Sequence, residues 1–351
     1  MSHLQRIVFF GCLLMILSAC TMEGNHKVNR AFYFWKSDWL GESEEEIFHD
    51  AGANKLYVKI FEITLDEMEG AIPVSKSFTQ LSSAMLRGSE IVPCIFMENE
   101  VLAQSTNEQL DELAKNTVFL TKKYLATKLK RHQADKLKCT ELQIDCDWME
   151  SSKEQYFYFL KCLKKYTDKT LSCTLRLYPY KFRNKMGVPP VDRVMLLCYN
   201  LLNPRSEVNK NSILDLGELK KYLVTDQAYP LPLDVSLPTY SSCYVFSNGQ
   251  FDAVYHGIPE NLESICLPSE DGLWFIVQQD TTLESNYFKK GQRLRIERVG
   301  SKQLLEATRL IVEHVPLGEN ATVGLYHLDE NELKHYSHET LDSVFLLFDL
   351  R

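Results

Sequence analysis

The chain has 351 residues, 45% of them hydrophobic and 25% charged, with a formal net charge of −8. That length suits one large α/β domain or two smaller ones, each with its own core. An acidic chain without a basic run lacks the electrostatic footprint of a nucleic-acid binder, so nucleic acid is excluded as a partner.

The first residues read as a leader. His3 and Arg6 precede an apolar run, Ile7 to Leu17, that is too short to span a bilayer. It ends in Leu17-Ser18-Ala19-Cys20, which resembles the lipobox of bacterial lipoproteins. The resemblance implies removal of residues 1–19, lipidation of Cys20, a tether over 20–29 and a folded body over 30–351. The body would sit in water, held to a membrane of the cell envelope by lipid alone. Which membrane and which face stays open.

Strand-like runs then alternate with helical ones. The strands are expected at 31–35, 55–61, 90–97, 142–147, 171–178, 191–199, 233–238 and 322–327. Helical patterns start near Ser43 and cover about 107–134, 151–165, 214–223 and 302–314. Eight strands in βα alternation predict a (β/α)8 TIM-like barrel. A doubly wound open sheet is the alternative, but no Gly-rich phosphate turn follows any strand. Residues 240–299 read as an insertion before the last helix and strand, with extra strands at 274–277 and 293–297.

The eight cysteines beyond Cys20 form no CxxC pair. Cys94, Cys146, Cys173 and Cys198 fall among apolar neighbours inside expected strands, as small hydrophobes. Neither a metal site nor a cofactor is expected.

The run Leu142-Gln143-Ile144-Asp145-Cys146-Asp147-Trp148 holds the chemistry. Along a strand, Gln143, Asp145 and Asp147 point the same way. Two carboxylates on an inward face cost free energy unless they are paired or lie at an open end. About 7 Å apart, the like charges would raise the pKa of one partner, which suits a general acid. The same alternation turns Lys59, with Tyr57 and Phe61, inward. It does so too for Arg176 with Tyr178, for Tyr199 with Asn200 just beyond, and for Asp234 with Ser236. Asp147, Asp145 and Asp234 are thus the candidate catalytic carboxylates. The other reading is a structural network in which Lys59 and Arg176 neutralise the aspartates. Glu150 reads as a helix-start residue or a further acid. Trp35, Trp39, Trp148, Tyr178, Tyr199 and Tyr240 cluster near expected strand ends, where aromatic faces beside carboxylates suit sugar rings.

Two resemblances follow. Asp145-Cys146-Asp147-Trp148-Met149 resembles the end of the fourth barrel strand in family 18-type glycoside hydrolases, whose D-x-x-D-x-D-x-E pattern ends in the catalytic Glu. Met149 occupies that place, with Glu150 one residue late. Met195-Leu196-Leu197-Cys198-Tyr199-Asn200 resembles their sixth-strand Met-x-Tyr-Asp, with Asn200 for Asp. The chain also resembles a group of uncharacterised lipoproteins of Bacteroidetes-type bacteria, through Phe32-Tyr33-Phe34-Trp35-Lys36, Leu56-Tyr57-Val58-Lys59, Pro189-Pro190-Val191-Asp192-Arg193 and Tyr229-Pro230-Leu231-Pro232-Leu233-Asp234. Together they imply an envelope barrel that handles carbohydrate. Trp35, Lys59, Trp148, Arg176, Tyr178, Tyr199 and Asn200 would bind the ligand. Hydrolysis through the inward carboxylates, glycan binding without catalysis, and a purely structural envelope role remain open.

Overall fold

The computed structural model describes residues 27–36, 40–74, 81–129, 138–206, 209–269, 272–284 and 286–350. Cys20, its leader and Trp39 lie outside the described residues.

Eight parallel strands close into a barrel. In chain order these are β1 (Asn29–Phe34), β2 (Lys55–Asp66), β4 (Glu90–Met97), β5 (Glu141–Asp145), β6 (Thr170–Arg176), β7 (Arg193–Leu197), β8 (Leu233–Pro238) and β16 (Thr322–Tyr326). The ring runs β1-β16-β8-β7-β6-β5-β4-β2, and β1 pairs with β2 to close it. Strand β3 (Gly70–Val74) turns back antiparallel on β2, an extension the sequence did not announce. Each barrel strand coincides with one of the expected runs. The fold is the expected (β/α)8 TIM-like barrel.

Outward faces of the strands are apolar and carry the helices. Phe32 packs on Phe48 of the helix Glu42–Asp50 and on Phe345 of the helix His338–Asp349. Both faces of a parallel strand are covered, so near-continuous apolar runs are required. Several helices begin where short polar side chains accept backbone protons. Thr106 accepts from Gln109, Asp215 from Glu218, and Ser337 from Thr340. The long helical region ends as an α-helix at Tyr124, with a π-turn over Leu125–Leu129.

Inside the barrel, polar residues form layers. At the amino ends of the strands, Lys55 reaches Glu141 at 3.0 Å and Glu90 at 3.8 Å. Arg193 meets Asp234 at 2.6 Å. In the middle, the Tyr33 hydroxyl donates to Gln143 at 2.8 Å, and Tyr33 stacks on Tyr57 with ring centres 4.7 Å apart. Gly324 faces Tyr33, where a methyl group would lie 3.4 Å from the ring.

The insertion folds as a five-stranded antiparallel sheet, ordered β10-β9-β15-β12-β11, with a small hairpin beside it. Its strands are β9 (Ser241–Ser247), β10 (Gln250–His256), β11 (Cys266–Pro268), β12 (Trp274–Val277) and β15 (Arg293–Arg298); the hairpin is β13 (Thr281–Leu283) with β14 (Asn286–Phe288). Strands β12 and β15 were legible; β9, β10 and β11 were not. Yet Asn248-Gly249 between β9 and β10 takes positive φ at both residues, the turn that Asn-Gly favours.

One buried pair docks this sheet on the barrel. Arg295 and Glu297 are both fully buried, 2.6 Å apart. Arg295 donates to the carbonyls of Pro204 and Ser206, each at 2.6 Å. Glu297 accepts from the Ser212 backbone at 2.8 Å and its hydroxyl at 2.6 Å. The guanidinium also lies 5.1 Å from the Tyr244 ring centre and 5.4 Å from that of Trp274. Breaking such a pair from one side leaves an uncompensated buried charge. Glu297→Gln is expected to destabilise the protein by about 3 kcal/mol or more, seen as a lower urea midpoint. Arg295→Met, which leaves Glu297 unpaired, should lower the midpoint similarly; an unchanged midpoint in either variant would contradict this account.

Candidate active site

The strands deliver their last inward residues to one cleft of about 1150 Å3 at the carboxyl end of the barrel. Trp35, Tyr199, Tyr240 and Tyr326 form its aromatic floor. Tyr326 stacks on Tyr199 at 5.4 Å, meets Tyr240 edge-on at 5.5 Å and lies 6.0 Å from Trp35. The Tyr240 hydroxyl donates to Asn200 Oδ1 at 2.5 Å, which fixes both side chains. The insertion supplies one wall, including His256 and Asn261, and the segment after β16 supplies His327 and Glu332.

Asp145 is the last residue of β5 and lines the cleft. Its Oδ1 accepts from Thr174 Oγ1 at 2.6 Å. Burial and the neighbouring charge of Asp147 raise its pKa, against the opposing pull of Thr174, Arg176 and Lys59. Asp147 lies beyond the strand rather than within it. It is exposed and held bidentately by Arg176, with Nε–Oδ1 at 2.5 Å and Nη2–Oδ2 at 2.8 Å. Despite the opposing effect of burial, Asp147 raises the pKa of the Arg176 guanidinium, which stays charged. Lys59 pairs with Glu62 at 2.7 Å and sits 5.6 Å from the Trp35 ring centre, rather than neutralising an aspartate. A register shift between Lys59 and Phe61 brings Glu62 alongside Phe96 of β4, so the strict alternation that turned Phe61 inward does not hold there.

Other residues lie elsewhere. Trp148 is buried against Tyr156 and Phe157, away from the cleft, because the chain turns outward after Asp147. Tyr178 is not on a strand; it sits in the short helix Leu177–Lys181 and is 43% exposed. Glu150 opens a 3-10 turn and pairs with Lys185 at 2.9 Å. Asp234 is the second residue of β8, at the opposite end of the barrel from the cleft. It therefore cannot share a substrate with Asp147. Its place early in the expected strand already carried that signal.

Sequence reasoning also passed over Tyr326 and His327. Burial lowers the pKa of His327 to about 4, helped by Lys36 and His256 and opposed by Asp329, so the imidazole is neutral at pH 7. Its position at the carboxyl end of the last expected strand was the available signal.

No protein-family model matches the chain, and no curated protein matches its sequence. Solved structures do resemble it. A chitinase from Bacteroides thetaiotaomicron superposes with a TM-score of 0.55 at 12% identity, over 91% of this chain and 96% of that one. The spore cortex-lytic enzyme SleL of Bacillus cereus gives 0.52 at 12% identity, over 92% and 74%. A chitinase from Chromobacterium violaceum gives 0.50 at 10% identity, over 92% and 98%. At such identities the likeness shows the fold alone, the (β/α)8 TIM-like barrel.

Burial pushes the Asp234 carboxyl up to about 6, with Glu141 adding to the shift and Arg193 and the Thr322 amide opposing it. The folded chain therefore holds that proton more tightly than the unfolded one. The resulting stability is present below about pH 4 and lost as pH rises through about 6. Asp234→Asn should remove this decline. Urea unfolding at pH 4 to 7 checks it: a native-to-variant difference that stays constant across the window would contradict the assignment.

Proposed function

We propose that this chain is an envelope lipoprotein whose barrel binds a glycan in the cleft, without the acid catalysis that its fold relatives suggest. One observation carries the reading. Asp147, the carboxylate nearest the expected catalytic position, is bound bidentately to Arg176, while Met149 stands exposed where the acid would be. Both carboxylate oxygens of Asp147 are thus engaged by the guanidinium and turned away from a substrate oxygen. The rest of the cleft suits recognition. Trp35, Tyr199, Tyr240 and Tyr326 offer apolar faces to sugar C–H groups, and Asn200, Asp145 and neutral His327 offer hydrogen bonds.

A second reading rests on Asp145. Its raised pKa and place on the cleft floor are what a general acid requires. It would protonate a glycosidic oxygen, and Tyr199 would orient the sugar.

Calorimetry with β-1,4-linked di- and hexasaccharides of glucose, N-acetylglucosamine and mannose separates these readings, alongside an assay for released reducing ends. Binding without product, weakened about tenfold or more in Trp35→Ala, supports the glycan-binding reading. Product release by the native protein that disappears in Asp145→Asn supports the second. Neither binding nor release across the series would overturn both.

The lipobox-like leader and the resemblance to Bacteroidetes-type lipoproteins support the envelope location, with the lipid on Cys20. Cys20→Ser, expressed in a bacterium that lipidates such leaders, should move the protein from the membrane fraction to the soluble fraction. Retention in the membrane would refute lipid attachment at Cys20.

A further inference from the structure

On the β5–β6 side the cleft lining consists of Asp145 and Arg176. In the eight-membered ring, β5 stands opposite β16 and β6 opposite β1. The insertion enters between β8 and β16 and lines that side of the mouth, whereas among the described residues the β5–β6 side contributes only Asp145 and Arg176 to the lining. Three large apolar side chains are exposed there, just past the strand ends: Met149 at 53%, Tyr178 at 43% and Phe182 at 41%. The Tyr178 and Phe182 rings lie 4.6 Å apart. Their segment is tied to the one after β5, because Lys185 pairs with Glu150 at 2.9 Å and interacts with the Tyr178 hydroxyl. Lys153 also donates to the Lys185 carbonyl at 3.0 Å. Between this platform and the cleft floor lies the Asp147–Arg176 pair, with the Asp147 side chain 56% exposed.

Exposed aromatic rings held by ion pairs, at the open edge of an aromatic cleft, are costly to leave in water and well placed to stack. We infer that Met149, Tyr178 and Phe182 form an outer subsite, so that the ligand is a glycan chain crossing the barrel mouth from the insertion wall, over Asp147–Arg176, to this platform. This inference rests on the glycan-binding reading above and extends it from a sugar to a polymer of several residues. The pyranose faces would lie on Tyr178 and Phe182, and the ring hydroxyls would meet Asp147 and Lys185.

The test compares the same β-1,4-linked di- and hexasaccharides by calorimetry with native protein, Tyr178→Ala/Phe182→Ala and Trp35→Ala. The native protein should bind the hexasaccharide more tightly than the disaccharide. The Tyr178→Ala/Phe182→Ala variant should lose about three- to tenfold in hexasaccharide affinity while its disaccharide affinity is unchanged. Trp35→Ala should weaken both. Equal affinity for the two lengths, or a hexasaccharide advantage that survives loss of both rings, overturns the outer subsite and leaves the cleft reading standing. Failure of both lengths to bind the native protein overturns the cleft reading and the extension with it. The two rings are exposed, so native-like circular dichroism of the double variant confirms that a lost affinity is not a lost fold.

Discussion

A closed barrel of eight parallel strands has an inside, and whatever points inward must be satisfied there. In this chain the inward residues are unusually polar: Lys55, Glu90, Glu141, Arg193 and Asp234 at one end, Gln143 and Ser172 in the middle, Asp145, Thr174 and Arg176 at the other. Buried charge is tolerable only when it is matched. In the lower layer Lys55 meets Glu141 and Glu90, and Arg193 meets Asp234, so these groups face one another inside the barrel. The upper layer opens to the cleft, so its groups face a ligand as well as each other. The same pairing rule therefore produces a plug at one end and a site at the other.

Much of this was legible in the residues. The alternation of apolar runs with helical periodicity located all eight barrel strands, because parallel strands covered on both faces must be apolar nearly throughout. Period-2 reasoning also placed Asp145, Arg176 and Tyr199 correctly at the cleft. It failed where strands end or slip. Trp148 and Tyr178 lie past their strands, where backbone direction no longer follows alternation, and the irregularity after Lys59 exchanges Phe61 for Glu62. Asp234 was read by face alone, although its depth along the strand decides which end of the barrel it serves. The insertion was hardest, since short antiparallel strands half open to solvent carry weak patterns; only the Asn248-Gly249 turn marked its first hairpin.

The comparison with chitinases and SleL joins this picture through architecture and not through sequence. A fold shared at 12% identity says where a site should be, and the side chains say what it does. Here the stretch after β5 places Met149 in the open and binds Asp147, two residues before it, to Arg176.

The buried Arg295–Glu297 pair reaches beyond its own sheet. It grips the segment between β7 and the next helix, and that segment follows directly from Tyr199 and Asn200 on the cleft floor. Wall and floor thus share one fastening. An exchange of the insertion for that of another barrel would have to carry residues 203–213 with it, so the two stretches, distant in the chain, are inherited or engineered as a single part.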